Sequence, residues 1–220
     1  MLKFTLLALL ILSIYADQVP IPPRPDGFSR GSNTPTLHIE AYYDLLCPGS
    51  KSAWGIIEPL LNNDYHIDTN QTLRFTIHMF PLPYHINAFF TAQGANVIYD
   101  NLKDSDDIFK YLNLIFANQA KFSTPGTVDQ SQNQVIQNLI DLVKTNMPAY
   151  GDIFAKGITS GTYNSEARMS WKYACYQGVT GAPIYFANGV KIDGAADFNG
   201  AQWKKFLNGS YLQKRKPTHF

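Results

Sequence analysis

Only two cysteines, Cys47 and Cys175, occur among the 220 residues, too few for a disulfide scaffold. Charge is sparse as well: charged side chains make up 16 % of the chain, and 18 basic against 17 acidic residues leave a formal net charge of +1. That balance gives no basic footprint for nucleic acid, and no nucleic-acid partner is expected. No histidine and cysteine spacing fits a metal site, and no glycine-rich phosphate loop or nucleophile elbow occurs, so neither metal nor cofactor is expected. Asp104, Asp106 and Asp107 lack the glycine and terminal glutamate of a calcium loop and read as a helix-start cluster. Beyond the N-terminal segment no apolar run is long enough to span a bilayer. What the chain does have is 45 % apolar and 14 % aromatic residues. About 200 such residues bury roughly 70 % of their unfolded surface without help from metals or disulfides.

Residues 1–16 read as a signal peptide: Lys3 supplies the basic region, Phe4 to Leu12 an apolar run, and Ala16 a small residue at the cut. The expected destination is secretion or the ER lumen, with no membrane attachment after cleavage. Secretion is favoured because Lys216-Pro217-Thr218-His219-Phe220 is no retention signal. Asn70-Gln71-Thr72 and Asn208-Gly209-Ser210 are glycosylation acceptor triplets consistent with that route. Residues 17–35, with Pro20, Pro22, Pro23 and Pro25, read as an extended lead-in. Residues 36–210 read as one domain, and residues 211–220, with Lys214-Arg215-Lys216, as a basic solvated tail.

Within the domain, Leu37 to Tyr43 is β-branched and aromatic and predicts a strand. Pro48 opens a helix to about Asn62, with Ile56, Ile57, Leu60 and Leu61 as its stripe. Leu73 to Phe80 predicts a second strand. Such a β-α-β unit joins parallel strands, whose carboxyl ends share the edge where ligand and catalytic sites of parallel sheets lie. The loops Cys47-Pro48-Gly49-Ser50 and Pro81-Leu82-Pro83-Tyr84-His85 are therefore expected side by side. Residues 86–177 carry only helical patterns: Asn87 to Asn101, Ser105 to Ala117 with Ser105 as N-cap, Ser131 to Lys144, and Ser165 to Gln177. Pro183 to Asn188 then predicts a strand, Asn188-Gly189 a hairpin turn into Val190 to Ile192, and Gly200 to Leu207 a closing helix.

Cys47 directly precedes a helix's first turn, where free N–H groups and the helix dipole favour the thiolate, the nucleophilic form of cysteine. Ser50, one turn on, is placed to hydrogen-bond that sulfur but has no thiol to resolve a mixed disulfide. The competing reading is a cysteine that merely packs at a helix start. His85 is the histidine with a topological reason to approach Cys47, as a base, as a cation beside the thiolate, or simply as a residue that orients the Pro81 and Pro83 loop. His38 and His78 read as half-buried strand residues, His66 and His219 as exposed. Cys175 reads as a structural free thiol in a largely buried helix, with a Cys47 pairing as the alternative. Glu40 is a candidate for a buried, proton-shuttling carboxylate beneath the cysteine, although strand alternation turns it to the other face unless a bulge intervenes.

With Val179-Thr180-Gly181-Ala182-Pro183 at the head of the third strand, the chain resembles the thioredoxin superfamily, and within it the DsbA-like branch. The resemblance rests on Cys47-Pro48-Gly49-Ser50 after a strand, on Gly178 to Gly189, and on Phe80 to Ala88. It implies an α/β, thioredoxin-like fold with a helical insertion, about residues 86–177, between the β-α-β unit and a C-terminal β-hairpin-α unit. It further implies a cis Pro183 facing Cys47, with the Ala182 backbone pairing with a bound peptide beside Pro48 and Gly49. Where family oxidases carry a second cysteine this chain has Ser50, which limits it to monothiol chemistry. The expected function is thus thiol-disulfide exchange through Cys47, of the oxidoreductase, isomerase or glutathione-dependent kind. Thiol- or disulfide-containing proteins are the expected partners, and glutathione a co-substrate. The alternatives are a non-catalytic peptide-binding module and an enzyme like the kappa-class glutathione transferases, which activate glutathione without a redox cysteine pair.

Overall fold

Leu37, Ile39, Ala41 and Tyr43 alternate with His38, Glu40 and Tyr42, and that period-two pattern folds as a strand with one fully apolar face. In the computed structural model, which describes residues 21–22, 24–62 and 72–208, this is the central strand. The elements run β1 (Phe28–Gly31), β2 (Leu37–Tyr43), α1 (Pro48–Asn62), β3 (Leu73–Met79), α2 (Ala88–Asp100), α3 (Asp107–Ala117), α4 (Gln119–Phe122), α5 (Gln132–Asn146), α6 (Gly151–Gly157), α7 (Gly161–Tyr176), β4 (Ile184–Ala187), β5 (Val190–Lys191) and α8 (Gly200–Leu207). The sheet order is β1-β3-β2-β4-β5. β2 and β3 are parallel, from Leu37 opposite Leu73 to Tyr43 opposite Met79, and the other neighbours are antiparallel.

The expected β-α-β unit and the closing hairpin and helix are present. α8 is held at its start by an Asn199 and Gln202 capping box, the reciprocal pairing that satisfies two otherwise orphaned donors. Four helices and one strand differ from expectation; α4 was not expected, and α7 begins at Gly161 rather than at Ser165. α3 begins at Asp107 with Asp106 in the cap position, so Ser105 is not the cap. α6 was not expected. The lead-in contributes β1, whose Phe28 lies opposite Ile77 and is buried. The signal segment, the tail, His66, Asn70 and His219 lie outside the described residues.

The two faces of the sheet are chemically distinct. On one, Ile39, Tyr43, Phe75 and Ile77 are buried beneath α1, α3 and α8: Trp54 stacks on Phe109 and meets Tyr43 edge-on, and Trp203 packs 4.8 Å from Tyr185. The Tyr43 and Tyr185 hydroxyls bond each other at 2.6 Å, which satisfies both within the core. The other face carries His38, Glu40, Thr76 and His78 and is partly covered by α7, whose Tyr173 ring lies 5.6 Å from His78. No described helix is long and apolar enough to cross a membrane.

Candidate functional site

Because β2 and β3 are parallel, their chains leave the sheet together, and Phe80 N–H donates to Tyr43 O at 2.7 Å just past the last residue pair. β4 runs antiparallel to β2 with Ile184 opposite Tyr42, so the segment preceding β4 reaches the same edge. Three segments distant in sequence thus converge: 44–50, 80–87 and 179–183.

Cys47 caps α1, its carbonyl accepting from Lys51 N–H at 3.1 Å, which leaves the side chain beside the free N–H groups of the first turn. The thiol is half-buried and free. It packs on a small apolar cluster of Tyr42, Phe80, Leu82, Ala174 and Val179, and its Sγ donates to Ala182 O at 3.4 Å. The Ala182–Pro183 peptide is cis. Gly49 sits between the two segments: a Cβ there would lie 3.3 Å from Pro183 Cδ and 3.6 Å from Cys47 Sγ, so a side chain at this position would press on Pro183 and touch the thiol. Pro48 and Gly49 are both exposed at the mouth. No pair of free cysteines meets here; Cys175 is exposed on the last turn of α7, not in a largely buried helix as expected, and partial desolvation pushes its thiol pKa up.

Ser50 differs from its expected role. It is fully buried, and its Oγ accepts from Asp44 N–H at 3.3 Å, turning toward the end of β2. No hydrogen bond between Ser50 and Cys47 exists among the described residues. His85 likewise bonds elsewhere, its Nδ1 lying 2.7 Å from Asp44 Oδ2.

Asp44 is the residue that sequence reasoning passed over. Its carboxyl is 1 % exposed. Oδ1 accepts from Leu46 N–H at 2.7 Å, and Oδ2 accepts from Leu82 N–H at 2.9 Å besides meeting His85. One side chain therefore ties the cysteine loop to the Pro81–Pro83 loop, with His85 bonded to it through Nδ1. From the helical segment, Gln119 Nε2 donates to Leu45 O at 2.8 Å and Cys47 O at 2.9 Å, a second clamp on the same loop. An aspartate three residues before the cysteine, at the sheet edge, was the available signal for Asp44; for Gln119 there was none.

Glu40 lies on the same face of β2 as Tyr42, two residues further from the cysteine loop. It meets His78, whose Nε2 is 3.3 Å from Glu40 Oε1 but too poorly aligned to count as a hydrogen bond. His78 Nδ1 pairs with Asp26 of the lead-in at 2.6 Å. Burial alone pushes the His78 pKa down, but the hydrogen bond to Asp26 and the nearby carboxylates of Asp26 and Glu40 outweigh it and the net shift is upward. The close approach of His78 holds the Glu40 carboxyl below its ordinary value. His38, bonded to Thr76 at 2.8 Å, is shifted down, mainly by burial. Asp106 pairs with Arg30 and Asp107 with Lys110, and no cluster of metal-ligand type occurs among the described residues.

No family model matches the chain, and no curated protein matches it. Solved structures do. A Pseudomonas syringae protein provisionally named a protein-disulfide isomerase is 14 % identical with a TM-score of 0.67, covering 83 % of this chain and 98 % of that one. BdbD from Bacillus subtilis, in its oxidised form, is 16 % identical with a TM-score of 0.64, covering 82 % and 90 %. Wolbachia pipientis α-DsbA1 is 16 % identical with a TM-score of 0.64, covering 86 % and 94 %. At these identities the likeness establishes the architecture: the chain has a DsbA-like, thioredoxin-type α/β fold.

Proposed function

We propose that the protein is a thiol-disulfide oxidoreductase that works through the single nucleophile Cys47. The observation that carries this reading is the half-buried, free thiol at the start of α1, set 3.4 Å from the backbone of Ala182. A sulfur in that place has helix N–H groups behind it and an accessible face in front. The next segment offers the Ala182 N–H and C=O to an extended peptide, the edge-pairing by which many proteins hold unstructured chains.

The step is exchange. The Cys47 thiolate attacks one sulfur of a substrate disulfide, a new S–S bond forms, the old one breaks, and the departing thiolate takes a proton. With Ser50 in the turn, resolution falls to a thiolate from outside: a second cysteine of the substrate, or a small thiol such as glutathione. That thiolate attacks the mixed disulfide and frees Cys47. Return through the substrate's own cysteine isomerises its disulfides with no net oxidation. Return through external thiols reduces the substrate and oxidises two of them. Asp44, His85 and Gln119 act as positioning residues that fix the loop on which the sulfur rides. Secretion through a cleaved leader, and glycosylation at Asn70 and Asn208, belong to the same reading; disulfide substrates abound in that compartment.

The test uses a Cys175→Ala protein incubated with a disulfide-bonded peptide and analysed by intact mass. The expected result is one covalent adduct, mapped to Cys47 and released by added thiol. Absence of any adduct leaves a binding module. Conjugation of glutathione to an electrophile that persists in Cys47→Ser overturns the exchange chemistry in favour of a transferase.

A further inference from the structure

Beside the cysteine site, where the Pro81–Pro83 loop meets α7, lies an open groove of about 350 Å³. Its apolar lining comes from Leu82, Ile86, Phe89 and Trp171, and two cations, Arg168 and Lys172, stand along its rim one helical turn apart on α7. The groove is continuous with the cysteine site: Leu82 belongs both to its lining and to the apolar cluster against which Cys47 packs. Trp171 stacks on Phe80 of that cluster, with ring planes 3° apart. Ile86 is 60 % and Trp171 38 % exposed, an unusual outlay of large apolar surface in a chain that buries most of its aromatics.

The charge of the rim is one-sided. Neither Arg168 nor Lys172 has an ion-pair partner among the described residues, and no carboxylate lines the groove. Asp44, which bonds the lining residue His85, is itself buried. The chain as a whole is almost neutral, so a pair of uncompensated cations over an apolar floor is a local device rather than the spill of a basic surface.

We infer that this groove is a docking site for an extended polypeptide carrying an aromatic or branched apolar side chain flanked by an acidic residue. The apolar side chain enters over Trp171 and Leu82 while the carboxylate meets Arg168 and Lys172. The inference rests on the exchange reading above and deepens it by naming the substrate segment. Docking holds a substrate beside Cys47 and raises the local concentration of its disulfide. Rim charges of this kind act mainly on selection and association rate, and their effect fades with salt.

Binding is tested apart from chemistry. Cys47→Ser protein is titrated with two cysteine-free acetylated peptides, one of sequence Glu-Phe-Leu-Glu-Ala and one with lysine in place of each glutamate, at low and at 0.5 M salt (about a threefold drop in Debye length from 0.05 M). Tryptophan emission reports the groove, because Trp54 and Trp203 are buried, and calorimetry serves as a second readout. The expected result is a shift in emission and an affinity about tenfold higher for the acidic peptide at low salt, with the preference reversed in the exposed double variant Arg168→Glu/Lys172→Glu. No binding, equal binding of both peptides, or a preference untouched by the double variant overturns the inference. Adduct formation at Cys47 in the wild-type chain is scored separately. Peptide docking without any adduct sinks the exchange chemistry and leaves the groove standing, whereas adducts without acidic preference do the reverse.

Discussion

At the scale of the residue, the arrangement turns on which side chains hold the cysteine loop and which leave it free to react. Asp44 is the strongest hold: three donors converge on a carboxyl with almost no solvent contact. Asp44→Ala strands two buried N–H groups and the His85 ring, and unmade buried hydrogen bonds cost more than made ones contribute. A loss of about 3 kcal/mol or more in denaturant stability is expected, together with slower reaction of Cys47 with disulfides. A variant as stable as the parent would remove Asp44 from this role. Cys47 was legible from the sequence because a cysteine and a proline at a helix start have few other uses. Asp44 was not, because one aspartate after two tyrosines is equally a strand terminator. Ser50 was misjudged for a different reason: spacing places a hydroxyl within one turn of the sulfur but does not fix its rotamer, and here the competing donor is the Asp44 N–H.

At the scale of the element, glycines in two helices make opposite predictions from the same substitution. Gly55 on the exposed side of α1 has nothing within 4 Å of an added Cβ, so Gly55→Ala is expected to stabilise by about 0.5–1 kcal/mol through helix propensity alone. Gly94 inside α2 is packed against the Tyr111 hydroxyl and the Phe154 ring, whose Cζ is 2.8 Å from the added Cβ. Gly94→Ala is expected to destabilise by about 1–3 kcal/mol as the core is forced apart. Thermal melts of the two variants decide both signs. Periodicity read the long elements well: α1, α2, α5 and α8 lie within two residues of their expected bounds. It missed β1 because Phe28-Ser29-Arg30-Gly31 holds one apolar residue and becomes a strand only by pairing with β3. α6, seven residues long with a glycine at each end, has no periodic stretch to detect. The exposure of Cys175 also escaped the sequence, since the last turn of α7 points its ends toward solvent while Ala174 alone is buried.

At the scale of the whole molecule, the chain is closed on the polar face of its sheet by a buried latch. Asp26 of the lead-in, His78 of β3, Glu40 of β2 and Ser170 of α7 meet there, Ser170 Oγ donating to Asp26 at 3.1 Å. His78, with its pKa raised above 6.5, stabilises the fold fully below 6.5, and this contribution fades as pH climbs through the raised value. Glu40, held below 4.5, contributes fully above 4.5 and fades as pH falls through its lowered value. The latch is therefore expected to be strongest between 4.5 and 6.5. The stability lost in Asp26→Asn should be largest there and shrink toward alkaline pH in equilibrium unfolding; a loss that grows with rising pH would contradict the assignment. The same topology that places this latch on one side of β2 and β3 brings the ends of both strands to the cysteine site.

The central claim, that the fold presents Cys47 as a working nucleophile, is tested most directly by the rate at which Cys175→Ala protein reacts with oxidised glutathione at neutral pH. Folded and urea-unfolded chains are compared, each measured by intact mass. The expected result is a glutathione adduct on Cys47 that forms faster in the folded chain than in the unfolded one, although the thiol is half-buried, and that added thiol releases. A folded chain that reacts no faster than the unfolded one, or not at all, would mean that the fold shelters this sulfur rather than using it.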